Sequence, residues 1–149
     1  MPFEIDNFRK ALRQGGVAAA LQYLNAPVPH RYTGIYQLKS GLLISAGLHD
    51  KAGEVLPGDL MEVPLGDSFC QFVLRDGSFR TEDSGVDGRL DGHKYKGVVL
   101  SYSGVPILGN DGELWGTLCH FDTLNRRISD DEYEFLRKSA RYLPEFLPK

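Results

Sequence analysis

At 149 residues, 42% hydrophobic and 25% charged, the chain is sized for one domain with one buried core and needs no staples. A formal charge of −3 lacks the clustered basic footprint of a nucleic-acid binder, and no apolar run approaches a membrane span. Two cysteines, Cys70 and Cys119, make neither a disulfide framework nor a zinc motif, and the N-terminus lacks the regions of a signal peptide, so a cytoplasmic protein of bacterial style with free thiols is expected.

Asp6 can cap a first helix carrying Phe8, Ala11 and Leu12 at helical spacing. Gly15-Gly16 interrupts it, and Val17, Ala20, Leu21 and Leu24 continue helical periodicity to about Asn25, where Ala26-Pro27-Val28-Pro29 ends the ladder. Arg31 to Leu38 and Leu42 to Leu48, joined by Lys39-Ser40-Gly41, read as a hairpin. Lys51 to Gly58 reads as loop, and Leu60 to Pro64 fits no single element. Asp67 or Ser68 can cap a short helix that Gly77 stops, Ser78 to Glu82 fits a short strand, and the polar stretch Asp83 to Lys96 has room for one short helix at most.

Val98 to Leu108 and Leu114 to Asp122 are rich in β-branched and aromatic residues and flank Gly109-Asn110-Asp111-Gly112, which predicts a second antiparallel hairpin. Both runs are apolar on both faces, so this hairpin is expected at the centre of a sheet covered on each side. Pro106 cannot donate to a ladder, so a bulge or strand end is expected beside it. Ser129-Asp130-Asp131-Glu132 is a capping box opening a last helix with Tyr133, Leu136, Ala140, Leu143 and Leu147 along one seam, and Pro144 stops or kinks it near Tyr142-Leu143. Helices segregated from hairpin-connected strands make the fold class α+β, in a single domain over residues 1–149.

The run Asp67-Ser68-Phe69-Cys70, then Gly77, Asp83 and Asp87, then Ser101-Tyr102-Ser103-Gly104-Val105-Pro106-Ile107, Asp111-Gly112 and Gly116-Thr117-Leu118-Cys119-His120-Phe121-Asp122 resembles the pattern of GAF domains. The resemblance covers nearly the whole chain and is most specific in its second half. It implies a central antiparallel sheet of five or six strands, with terminal helices on one face and a pocket layer of loops and short helices on the other. It also implies sensing or regulation through an unknown small-molecule ligand, a homodimer through the terminal helices, and a separate output protein where none is fused. The initial Met favours a complete chain.

The expected ligand contacts are Phe69, Cys70 and Phe72 on the short helix, Asp87 in the polar loop, Tyr102, and His120 if its face is the pocket face. Phe69 and Phe72 suit core packing equally, and Tyr102 stands open between core packing and ligand contact. Asp83, Asp87 and Asp91 flank glycines as turn formers do, without an EF-hand pattern. His120 alternates with Leu114, Gly116 and Leu118, opposite Trp115, Thr117, Cys119 and Phe121; it reads more simply as a hydrogen-bonded core residue than as a haem or metal ligand.

One GAF branch reduces free methionine sulfoxide with cysteines. Cys70 near a helix start could form thiolate there, but the branch's characteristic cysteine set is absent, and Cys119 reads as a small buried hydrophobe. Cys119-His120 resembles the pair that anchors a bilin in some GAF domains, but there it sits on a helix and here on a strand. The leading expectation is therefore a non-enzymatic, small-molecule-binding regulatory domain without cofactor or metal. A thiol-dependent reductase and a ligand-free interaction module are the alternatives.

Overall fold

The structure, a computed structural model, describes residues 4–53, 62–93 and 97–148, with the backbone alone at 62–64 and 67. Its centre is a six-stranded antiparallel sheet in the order β3-β2-β1-β6-β5-β4. The strands are β1 (Tyr32–Lys39), β2 (Leu42–Asp50), β3 (Glu62–Pro64), β4 (Phe79–Thr81), β5 (Ser101–Leu108) and β6 (Leu114–Asp122). The helices are α1 (Ile5–Asn25), α2 (Cys70–Asp76) and α3 (Asp130–Ala140).

Both predicted hairpins form, and β1 and β6 then pair through the middle, Ile35 opposite Leu118 and Tyr36 opposite Thr117. The stretch that fitted no element supplies β3, which borders β2; residues 54–58 of the predicted loop, and 59–61 after it, lie outside the described residues. The polar stretch holds two 3-10 turns, Ser84–Val86 and Gly88–Leu90, where one short helix at most was expected. Asp83 and Asp87 each fold back on a main-chain N–H, of Gly85 and Arg89, and so nucleate one turn apiece.

Alternation within the strands divides the core in two. Ile35, Val105, Ile107 and Leu118 meet α1 and α3 through Phe8, Leu12, Leu21, Leu136 and Leu143. Tyr36, Tyr102, Cys119 and Phe121 face α2 and the 3-10 turns. The apolar seam that opens with Tyr133 is buried against α1 and the sheet of its own chain: Leu136 of α3 and Leu143 just after it are fully covered.

α1 kinks at Gly16, which adopts φ 72°, a conformation that glycine accepts without Cβ strain. Its first turn begins before Asp6, which lies inside the helix and not at its cap. The N-cap of α2 is Phe69, one residue after the expected Ser68 and without a side-chain cap; the Ser68 hydroxyl still accepts from Gln71 N at 3.3 Å, and Gly77 closes that helix at φ 82°. The capping box of α3 forms in both directions, Ser129 with Glu132. That helix ends at Ala140, earlier than expected, and Pro144 opens a separate 3-10 turn, Pro144–Phe146.

Pro106 stays in register opposite Thr117, and the irregularity comes one step later, between Ile107 and Leu108. β4 reaches only as far as Gly104, so among the described residues no strand borders that edge of β5 at Pro106. Trp115 is the residue that the irregularity leaves unpaired. It packs with the helix-side core and not with Thr117 and Cys119, a correction to simple alternation. No helix among the described residues is long and apolar enough to cross a membrane.

Candidate functional site

Strand alternation points Tyr102 of β5 and Thr117, Cys119 and Phe121 of β6 at α2, whose first turn brings Phe69, Cys70 and Val73 down onto them. Cys70 lies where these meet. Its sulfur is 3.2 Å from the Tyr102 hydroxyl and accepts from the Thr117 hydroxyl at 3.2 Å. Cys119 belongs to the same buried cluster and donates to Gly34 O at 3.7 Å.

Gly104 makes the geometry possible. Tyr102 and Gly104 share a face, and the phenol lies along the sheet over Gly104 to reach Cys70. A Cβ at Gly104 would sit 2.6 Å from the Tyr102 hydroxyl oxygen and 2.8 Å from Val73 Cγ2. The Gly104 carbonyl is used as well, accepting from the Tyr133 hydroxyl of α3 at 2.7 Å. One residue thus joins the α2 layer to the terminal helix.

The thiols are electrostatically unequal. Hydrogen bonding from Cys119 holds the Cys70 thiol below its ordinary pKa; burial opposes this, and Thr117 and Tyr102 add to it. Burial pushes Cys119 well up, and its contact with Cys70 pushes it further. Burial raises Tyr102 too, reinforced by the charge that Cys70 would carry. Substituting Cys119 by Ala is therefore expected to raise the Cys70 thiol pKa. Thiolate ultraviolet absorbance followed against pH checks this: the lower of two steps in the parent moves up in the variant, and an unmoved step would contradict it.

Aromatic rings enclose this polar knot. Phe69 meets Tyr102 edge-on at 5.7 Å between centroids, and Phe72 lies 5.0 Å from Phe79. His93 closes the rim, 4.7 Å from Phe69 and 5.8 Å from Phe72, with Nε2 donating to Ser68 O at 3.1 Å. Four of the six expected contacts, Phe69, Cys70, Phe72 and Tyr102, are thus brought together.

Asp87 is at the edge of this layer. Its carboxylate is taken by the Arg89 guanidinium, with Nε at 2.9 Å, which pulls its pKa down to about 2. His120 is on the other face of the sheet and apart from the rest. It is covered by the end of α1, with Nδ1 2.6 Å from Thr33 Oγ1 and its ring 5.8 Å from that of His30. Asn25 continues that network to Thr33, and Lys51 to Asn25.

Thr117, Phe79 and His93 belong to the site without having been named as contacts. Thr117 was legible from its alternation with Cys119; His93 sits in a polar loop with no periodic signal at all. Among the described residues no cluster of His, Cys, Asp and Glu could hold a metal ion.

None of the curated proteins matches the sequence. Solved structures do resemble the fold. A free methionine-R-sulfoxide reductase from Neisseria meningitidis superposes with a TM-score of 0.73 at 17% identity, over 95% of this chain and 84% of that one. The GAF domain of an Acinetobacter phosphoenolpyruvate-protein phosphotransferase gives 0.72 at 13% identity, over 95% and 90%. A type II free methionine-R-sulfoxide reductase from Thermoplasma acidophilum gives 0.65 at 21%, over 94% and 96%. The GAF domain family model matches residues 9–143, nearly the whole chain, and the chain belongs to the GAF domain family.

Proposed function

We propose that this chain is a non-enzymatic, small-molecule-binding regulatory module whose guest lies between the sheet and the layer from Phe69 to His93. The observation behind this reading is the polar knot of Cys70, Tyr102 and Thr117 inside an aromatic enclosure. Apolar walls with a few convergent polar groups are the composition of small-molecule sites. The contact from Tyr102 through Gly104 to Tyr133 gives a route from guest to α3.

Mass spectrometry of protein purified under native conditions, with a thermal-shift screen of nucleotides, amino acids and aromatic metabolites, tests this. A guest at a hundred times its dissociation constant stabilises the fold by about 2.7 kcal/mol. The reading expects such a shift, reduced in Tyr102→Phe. No shift and no co-purified compound would count against it.

The presence of Cys70 and Cys119 in one buried cluster favours a second reading, a thiol reductase of free methionine sulfoxide, the substrate class named for the Neisseria and Thermoplasma structures. The Cys70 thiolate would take the sulfoxide oxygen together with a proton from solvent, becoming a sulfenic acid and releasing methionine. The Cys119 thiol would condense with it to a disulfide and water, and an external dithiol would reduce the pair. Thioredoxin-coupled turnover that is lost in Cys70→Ser and in Cys119→Ser would support this reading; its absence returns the assignment to the regulatory one. A close pair of free thiols suits the reducing cytoplasm. A homodimer would use the outer faces of α1 and α3, and would pass the signal to a separate output protein; light scattering that finds a monomer at high concentration removes the dimer.

A further inference from the structure

We propose that the groove between the β5–β6 turn and the segment following α3 docks a basic, apolar segment of a partner protein. The groove measures about 440 Å³ and has an apolar floor that includes Leu114, Trp115 and Leu147. Of the six exposed large apolar side chains among the described residues, Leu114, at 46%, lines it, Leu108, at 48%, pairs with Leu114 across the hairpin, and Phe146, at 41%, follows its Glu145, while Val86, Val98 and Leu124 lie elsewhere. Solvent-exposed apolar side chains grouped beside a groove, with a polar rim, mark an interaction surface.

Charge identifies the occupant. Three carboxylates, Asp111, Glu113 and Glu145, line the groove, and no lysine or arginine does among the described residues. Arg9 and Arg13 share with Glu145 a smaller neighbouring hollow and not this one. A neutral segment would desolvate the carboxylates without compensation, whereas lysine or arginine flanking an aliphatic side chain would pair them. A second copy of this chain is disfavoured by the same charge, because a two-fold contact would set acidic rim against acidic rim. The site is also preformed: the strand irregularity turns Trp115 out of the alternation, and its indole N–H donates to Pro148 O at 2.7 Å, tying the two walls together.

Trp115 is the chain's single tryptophan, so its emission reads the groove directly. The probe is an acetylated, amidated peptide of alternating leucine and lysine, with glutamate in place of lysine as control. The proposal expects a saturable change in Trp115 emission with the lysine peptide, weakened by salt, and none with the glutamate peptide. Half-saturation should move about tenfold or more upward in a Glu113→Gln, Glu145→Gln double variant, both positions being exposed. No response, an equal response to both peptides, or a response unchanged in the double variant would overturn it. So would a dimer in light scattering that Leu114→Asp dissociates, since the groove would then belong to a second copy.

Discussion

Replacing Gly116 by alanine is expected to destabilise the fold by about 3 kcal/mol or more, the upper range for overpacking, because the obstruction is main chain. A Cβ at Gly116 would collide with the carbonyl oxygen of Tyr36 and stand 2.9 Å from its carbonyl carbon and 3.0 Å from Gln37 Cα. No rotamer relieves such contacts. β1 must draw away from β6, loosening the pairs Tyr36–Thr117 and Gln37–Gly116 at the centre of the sheet. Thr117 also holds Cys70, so the candidate site loosens with the ladder. Gly66→Ala is the control: open space surrounds that position, and a change within about 0.5 kcal/mol is expected. Urea midpoints at constant m-value measure both. Equal midpoints for the two variants would contradict the close approach of β1 and β6.

The second large effect is a loss of stability in acid that His30 causes. Its side chain is fully buried, and neither ring nitrogen has a hydrogen-bond partner among the described residues. Burial lowers its pKa from 6.5 to about 4; Asp122 opposes the shift, while Arg126 and Lys51 assist it. His120, facing it, is lowered well below its usual value by burial, and next by the charge that His30 would bear.

Above pH 6.5 His30 is neutral in both folded and unfolded chains and its protonation costs nothing. As pH falls from 6.5 towards 4 the unfolded chain takes up a proton that the folded chain refuses, so stability is lost through that window. By pH 4 the loss from His30 alone is about 3 kcal/mol. Carboxylates titrate over part of the same range, so the variant His30→Phe isolates the effect. It should match the parent or exceed it at neutral pH, where it removes two buried unpaired nitrogens, and its advantage should grow as the solution is acidified. Parallel denaturation curves at all pH values would contradict this assignment.

Much of the architecture was legible because its signals are local. The turn residues Gly109 to Gly112 sit between two β-rich runs, Gly77 stops α2, and Ser129 with Glu132 opens α3; each acts within a few residues of itself. The errors share a different cause. Trp115 left its expected face because one unpaired residue in β6 breaks the alternation, which is decided by pairing with β5 and not by β6 alone. The face of His120 depended on which side of the sheet α1 would cover. The seam of α3 was visible, but its spacing does not name the surface it packs on, which is α1 and the sheet.

The candidate site shows the same division. Phe69, Cys70 and Phe72 came from one short helical segment and Tyr102 from one strand. The meeting of Cys70 with Cys119 required β6 to lie beneath α2, and no spacing in the chain encodes that. Gly104 is intermediate: its place two residues after Tyr102 was plain, but its use as the floor under the phenol appears only once α2 closes over it.

The most direct test is a set of amide nitrogen–proton correlation spectra of the folded protein recorded against the same nucleotide, amino-acid and aromatic metabolite panel. A guest in the proposed layer shifts resonances from Phe69 to His93 together with Tyr102, Gly104 and Thr117, and carries through to Tyr133 on α3. A panel that leaves those resonances unmoved, or a guest whose shifts fall on α1 and the helix face, would contradict the assignment.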